Sequence, residues 1–364
     1  MLRLERRVDV PRWWTWAVPV ASVLAAMVLG AVLIVSSGND PLDVYRRIFE
    51  SAVLGSGSLS GTVVAATPLL FTGLAAAAAF RMGVFNIGGE GQFIIGAIAG
   101  SGVALRFGES MGAGVIPLMI VAAAVAGALW AAIAGALRAW FKTNEIITSL
   151  MLNYIALNIG DYLIFNSESS WRLLEGSGRM FPQGKPIDTS AEWPFSHVGP
   201  VDFPFGFWLG VIIAIVVWVL YRRTRFGFEV KVIADSPSAA TYAGMRARRT
   251  IVSVMALSGA LAGIGGASDI GDTRHVFDPK GLRQSGYGYT GIVVAALARL
   301  NPVAVVPVAL LMGGLNNAGR ALQGRDFPAG LVGTLQGLIL FCALGGEILA
   351  RYRVRRVAKA VVAS

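Results

Sequence analysis

Cysteine and histidine are nearly absent from this chain of 364 residues: Cys342 stands alone, and only His197 and His275 carry imidazoles. One cysteine inside an apolar run excludes a disulfide framework and a cysteine-rich metal site. Two histidines leave little room for imidazole catalysis. Charge is scarce as well. Charged residues make up 14% of the chain and hydrophobic ones 55%, whereas a soluble domain carries about 25% charged residues, so the soluble class is excluded. The phosphate-cradling GxxxxGK[ST] and the zinc motif HExxH are both missing. The lone Gly-Lys pair, Gly184–Lys185, runs into Pro186. The chain is therefore expected to hold no catalytic residue, no metal and no cofactor of its own.

What the sequence has is apolar length. Each membrane crossing needs about 17 to 25 mostly apolar residues. Such runs lie at about 17–37, 60–80, 84–105, 115–137, 146–165, 206–221, 251–269, 286–300, 302–319 and 329–349. They predict an all-α polytopic membrane protein of about ten transmembrane helices, with both termini on one side. The eighth run is short and glycine-bearing. The first is too long for a cleaved signal peptide, and Trp13, Trp14 and Trp16 before it suit the headgroup layer. Residues 41–54 are periodic but charged and read as an outer-surface helix.

A net charge of +10 suggests a nucleic-acid binder until the charges are placed. Twenty of the 31 basic residues fall in the segments sharing the N-terminal side, seven of them in 222–250. Basic residues mark cytoplasmic loops, so both termini are predicted to be cytoplasmic. The partner this charge implies is a lipid bilayer and not nucleic acid. A single transmembrane domain, 17–350, then lies between a basic N-terminus, 1–16, and a basic tail, 351–364. It carries an outer loop, 166–205, and a cytoplasmic loop, 222–250. The outer loop reads equally as a docking surface for a soluble partner or as a solvated connector.

Small residues fill several runs, with Gly259 and Gly263, and again Gly333 and Gly337, at GxxxG spacing. Such faces let helix backbones approach closely. Polar residues at membrane depth say more, because they are costly and face a bundle interior or a wet cavity. Asn86, Glu90 and Gln92 cluster in FNIGGEGQF; Asn153, Tyr154 and Asn158 follow in LMLNYIALN; Asn316 and Asn317 sit in GGLNNAG. Amides, a phenol and glycines suit an uncharged, hydrogen-bonding solute, so these eight are candidates for a substrate pathway. Bonding between helices is the competing reading for each. Glu90 is the one carboxylate clearly inside a run; Asp269 lies near a run's end, where water could reach it.

In the cytoplasmic loop, Ser236 is a natural N-cap and Pro237 fits the first helical position. Ala239, Ala240 and Ala243 form a small-residue face, and Gly244 suits the helix end. A helix of two turns does not persist alone in water, so the bundle or a partner must hold it. GVFNIGGEGQF (83–93), MLNYIALN (151–158) and GFEVKVIADSPSAATYAGM (227–245) together resemble the permease subunits of bacterial ABC importers. The family serves branched-chain amino acids, ribose-type sugars and nucleosides, and the motifs look most like its simple-sugar/nucleoside branch. The resemblance implies that 236–244 is the coupling helix, with Ser236, Pro237, Ala239, Ala240 and Gly244 matching the family's NP-x-AA-x-x-x-G pattern and Ser236 replacing its Asn. It also implies a second permease, often a different chain, and a cytosolic ATPase that binds ATP and Mg. An extracytoplasmic substrate-binding lipoprotein and a multi-pass location in the bacterial inner membrane follow too. The alternative mechanism is an ion-gradient-driven transporter, which would need Glu90 for coupling.

Overall fold

The computed structural model describes residues 2–6, 13–322 and 330–356. Of the segments singled out above, residues 1, 7–12, 323–329 and 357–364 lie outside the described residues. Helices run in order α1 (Trp14–Ser36), α2 (Pro41–Phe49), α3 (Ser58–Phe80), α4 (Gly89–Met111), α5 (Val115–Phe141), α6 (Glu145–Phe165) and α7 (Phe205–Arg223). They continue as α8 (Arg225–Asp235), α9 (Pro237–Tyr242), α10 (Ala247–Asp269), α11 (Pro279–Ser285), α12 (Tyr287–Leu297), α13 (Pro302–Ala321) and α14 (Leu331–Arg351). Among the described residues four short strands make two ribbons. β1 (Leu2–Arg6) pairs antiparallel with β4 (Tyr352–Arg356), and β2 (Phe195–Val198) pairs with β3 (Val201–Pro204).

The helices fall into two compact units, residues 1–47 with 322–364, and residues 48–321. In the first, α1 packs on α14, and Tyr45 Oη donates to Met27 O at 2.6 Å. The second holds α3 to α13. Among the described residues six helical stretches are long and apolar enough to cross a membrane: Ser58–Phe80, Gly89–Phe141, Glu145–Phe165, Phe205–Arg223, Ala247–Arg274 and Pro302–Ala321. Gly89–Phe141 is two helices, α4 and α5, meeting at a 3₁₀ turn over Gly112–Gly114 and packed on each other.

Two expected spans need correction. The helix expected from 84 begins only at Gly89, because Asn86 Oδ1 accepts the Gly88 N–H at 2.9 Å and turns the chain first. The eighth run is also not one crossing helix. α12 has 11 residues, which at 1.5 Å each is about 16 Å, half of a hydrocarbon core of about 30 Å. It is separated from α11 by Gly286, whose φ of +55° is the left-handed region glycine tolerates. The run itself thus supplies only α12, and α11 and α12 are two short helices interrupted at Gly286.

Close backbone contacts hold the second unit together. Gly259 and Gly263 of α10 lie against Gly127 and Ala123 of α5, where an added Cβ would strike carbonyl oxygens. The other GxxxG pair differs: Gly333 and Gly337 meet nothing within 4 Å among the described residues. The loop 166–205 is bonded onto the helices. Trp171 Nε1 donates to Ile98 O and Ser101 Oγ, and Trp193 N donates to Gly271 O.

Candidate functional site

The eight polar candidates separate into three places. Asn86, Glu90, Gln92 and Asn153 are buried together. Asn86 and Gln92 exchange amide hydrogen bonds of 2.9 and 3.0 Å, and Asn86 Nδ2 also donates to Ser258 Oγ of α10. Ser258 in turn donates to Ala75 O of α3. Asn153 of α6 accepts the Gly91 N–H at 2.8 Å and donates to Ile87 O at 3.0 Å. Ser149 Oγ accepts the Ile87 N–H. These bonds satisfy the backbone that the turn before α4 leaves unpaired, which membrane-depth backbone requires.

Glu90 has a defined task in this hub. α12 has Gly286 at its N-cap position and therefore no capping side chain of its own. Glu90 Oε2 accepts the Gly288 N–H at 2.7 Å, and the Tyr289 N–H also reaches the carboxylate. Those are the second and third amides of the helix, the ones a side-chain N-cap normally takes, and a negative charge at a helix N-terminus is itself stabilising. Glu90 thus caps α12 across the fold. The approach is tight enough that a Cβ on Gly288 would collide with Glu90 N and Cα.

A second carboxylate repeats the device. α7 also has no capping side chain of its own. Asp272 Oδ1 accepts the Gly206 N–H at its start, while Oδ2 accepts from Ser268 Oγ at 2.6 Å. Asp269, expected near water, is buried and pairs with Arg274 Nε at 2.5 Å. The reason is local: α10 passes into a π-turn over Ile270–Arg274 that swings Arg274 back over Asp269. Arg274 then reaches Ser285 Oγ at 2.7 Å, beside the break in the helix. Arg283 of α11 pairs with Asp161 of α6.

The remaining candidates lie elsewhere. Tyr154 and Asn158 are on an exposed side of α6, with Asn158 Nδ2 donating to Tyr154 O. Asn317 of α13 donates to Ser51 O and Ser58 O, bracing the entry to α3, and Asn316 is its half-buried neighbour. Tyr289, not singled out from sequence, joins the hub through its Oη, which accepts from Asn153 Nδ2 at 3.4 Å.

The short helix α9 of the loop 222–250 forms as its residues dictate. Ser236 Oγ accepts the Ala239 N–H, Pro237 is the first helical residue, and Gly244 follows the end with φ +73°. Its two faces differ. Ala240 is fully buried with Ala79, Met82, Val84, Val230, Ile233, Val254 and Met255. Pro237, Ala239, Tyr242 and Gly244 are exposed, Tyr242 by 97%. The amphipathic α8 before it, capped by Thr224, supplies Val230 and Ile233 and went unread in the sequence. Met82 and Val84, which share this cluster, lie four and two residues before Asn86 of the polar hub.

A family model described as the permease component of branched-chain amino acid transport systems matches residues 58–344. The chain is 34% identical to a glucose ABC transporter permease protein of Haloferax volcanii, over 97% of this chain and 93% of that one. It is 30% identical to a nucleoside ABC transporter permease protein of Lactococcus lactis, over 89% of each. A guanosine ABC transporter permease protein of Bacillus subtilis is 31% identical over 82% of this chain and 84% of its own. No solved structure matches.

Proposed function

Because the chain belongs to the permease-component family of branched-chain amino acid transport systems, we propose that it forms half of the translocation pathway of an ATP-driven importer of nucleosides or a related small polar solute. In this reading it crosses the bacterial inner membrane ten times, the broken pair α11 and α12 making the eighth passage. Both termini are cytoplasmic. A second permease, usually a different chain, completes the pathway. A cytosolic ATPase binds ATP and Mg and docks on α9, and an extracytoplasmic lipoprotein delivers the solute to the outer side.

One observation supports this reading above the others. The exposed face of α9 is free to meet a partner, while Ala240 on its other face is buried in the same apolar cluster as Met82 and Val84. The same segment continues into the hub where Glu90 caps α12. In this reading a push on α9 passes through this cluster and the segment after Val84 to the start of α12. The engagement of Glu90 with two backbone amides also weighs against an ion-coupling role for it.

Guanosine and nucleoside relatives support the substrate class, and the glucose relative at 34% identity supports sugars as the second reading. Co-purification tests the machine. Ala239→Glu, on the exposed face of α9, is expected to abolish association with the ATPase while the permease still inserts. Undiminished association and uptake would overturn the proposal.

A further inference from the structure

α6 presents two different stripes on its uncovered side. Ile147, Met151 and Ile155 form an apolar one at four-residue spacing, and all three are exposed. Tyr154, Asn158 and Tyr162 form a polar one at the same spacing, equally exposed. Lipid tails accommodate the first stripe. The second would leave the Tyr154 phenol and the Asn158 amide in hydrocarbon near the centre of a 21-residue span, which is costly, since tyrosine prefers the headgroup layer to the bilayer centre. Tyr162 lies three residues from the helix end. The polar stripe therefore faces a wet pathway.

Tyr289 stands beside this stripe. It is 42% exposed and Tyr154 is 56% exposed. Asn153, the chain neighbour of Tyr154, holds the Tyr289 hydroxyl. Asn153 itself is fully buried, and its side chain serves Gly91, Ile87 and Tyr289. It positions a ring and has no face left for a solute.

We propose that Tyr154 and Tyr289 form the solute-recognition pair of this half of the pathway, stacking on the planar base of a nucleoside whose polar edges meet Asn158. The inference rests on the permease reading and adds to it the residues that select the solute. A flat heterocycle uses both rings and the polar groups together, since every base has a π-face that stacks on an aromatic side chain. A hexose has no such face. Tyr289 is the third residue of α12, directly behind the amides that Glu90 caps, so displacement of the hub moves this ring relative to Tyr154.

The test uses the complete complex with its binding protein in proteoliposomes, with radiolabelled guanosine and glucose as probes. Tyr289→Leu and Tyr154→Leu are each expected to raise the guanosine KM about ten- to a hundredfold. Tyr154→Phe, which keeps the ring, is expected to hold KM near the parent value, and Tyr289→Phe, which keeps the ring but loses the Asn153 bond, to raise KM less than Tyr289→Leu. Co-purification with the ATPase separates loss of this site from loss of the fold. An unchanged KM in assembled Leu variants overturns the pair. Wild-type uptake of glucose and not guanosine overturns the planar ligand and leaves the ATP-driven permease standing. Guanosine uptake that needs no ATP, with KM still raised in the Leu variants, overturns the permease reading and leaves the pair standing.

Discussion

Replacing Tyr242 with Ala probes the docking face of α9 without disturbing the bundle. The side chain is 97% exposed, so almost all of its surface is available for a partner to cover. A buried aromatic side chain removes about 150 Å² or more from water, and at about 25 cal/mol per Å² this stabilises a complex by about 4 kcal/mol. The alanine methyl retains about 0.8 kcal/mol of that, which sets a ceiling of about 3 kcal/mol for the loss. If the partner covers only half of the ring, the loss is about 1.5 kcal/mol. At about 1.4 kcal/mol per tenfold, affinity for the ATPase should fall about 10- to 150-fold. The assay is titration of immobilised, detergent-solubilised permease with purified ATPase, alongside the melting temperature of the permease alone. That temperature should not move, because exposed substitutions away from special features change stability by only about 0.5 kcal/mol or less. An affinity unchanged within about twofold would refute α9 as the docking element. Ala240→Glu is the contrasting perturbation. It forces a carboxylate into the cluster around Met82 and Val84, and leaving a charge buried without a partner costs several kcal/mol, so the permease itself should fail to purify as a monodisperse species.

Other perturbations follow from the same geometry. Glu90→Ala leaves the α12 amides uncapped and should destabilise the permease by about 1.5–3 kcal/mol, the range for hydrogen bonds to charged groups. Glu90→Gln keeps an acceptor and should cost less, and a thermal-shift series would order the two. Gly288→Ala drives a methyl into the Glu90 backbone and should destabilise by about 3 kcal/mol, the upper end for overpacking, visible as loss of folded protein after extraction. Gly259→Leu should abolish folded expression because it separates α10 from α5, whereas Gly333→Leu should be tolerated because that position meets no neighbour among the described residues. Fluorescence-detected size exclusion would report both.

Much of the helical order was legible because apolar length is a local property of the chain. The starts of α3, α5, α6 and α7 lie within two residues of the apolar runs, and Ser236, Pro237 and Gly244 take their expected capping positions. The misread stretches are those where a distant partner decides. Asn86 ends the turn before α4 by bonding its own backbone, and Ser258, 172 residues on, fixes the side chain. Glu90 was marked as an unusual carboxylate, but its task depends on amides 198 residues away. Asp269 looked solvated because the π-turn that brings Arg274 over it has no sequence signature. Tyr289 carried a faint signal, an aromatic set between glycines in GYGYTG. Tyr242 carried another, standing two residues beyond Ala240 and so on the other side of a helix.

Uptake of labelled guanosine into proteoliposomes most directly tests whether this chain is a motor-driven permease subunit. The chain, its partner permease, the ATPase and the binding protein are reconstituted together, with and without ATP and with no ion gradient. Uptake is predicted only with ATP and the complete set of subunits, and it should vanish when Ala239→Glu prevents docking of the ATPase. Guanosine accumulation by this chain alone, driven by an imposed ion gradient and abolished by Glu90→Gln, would contradict the account.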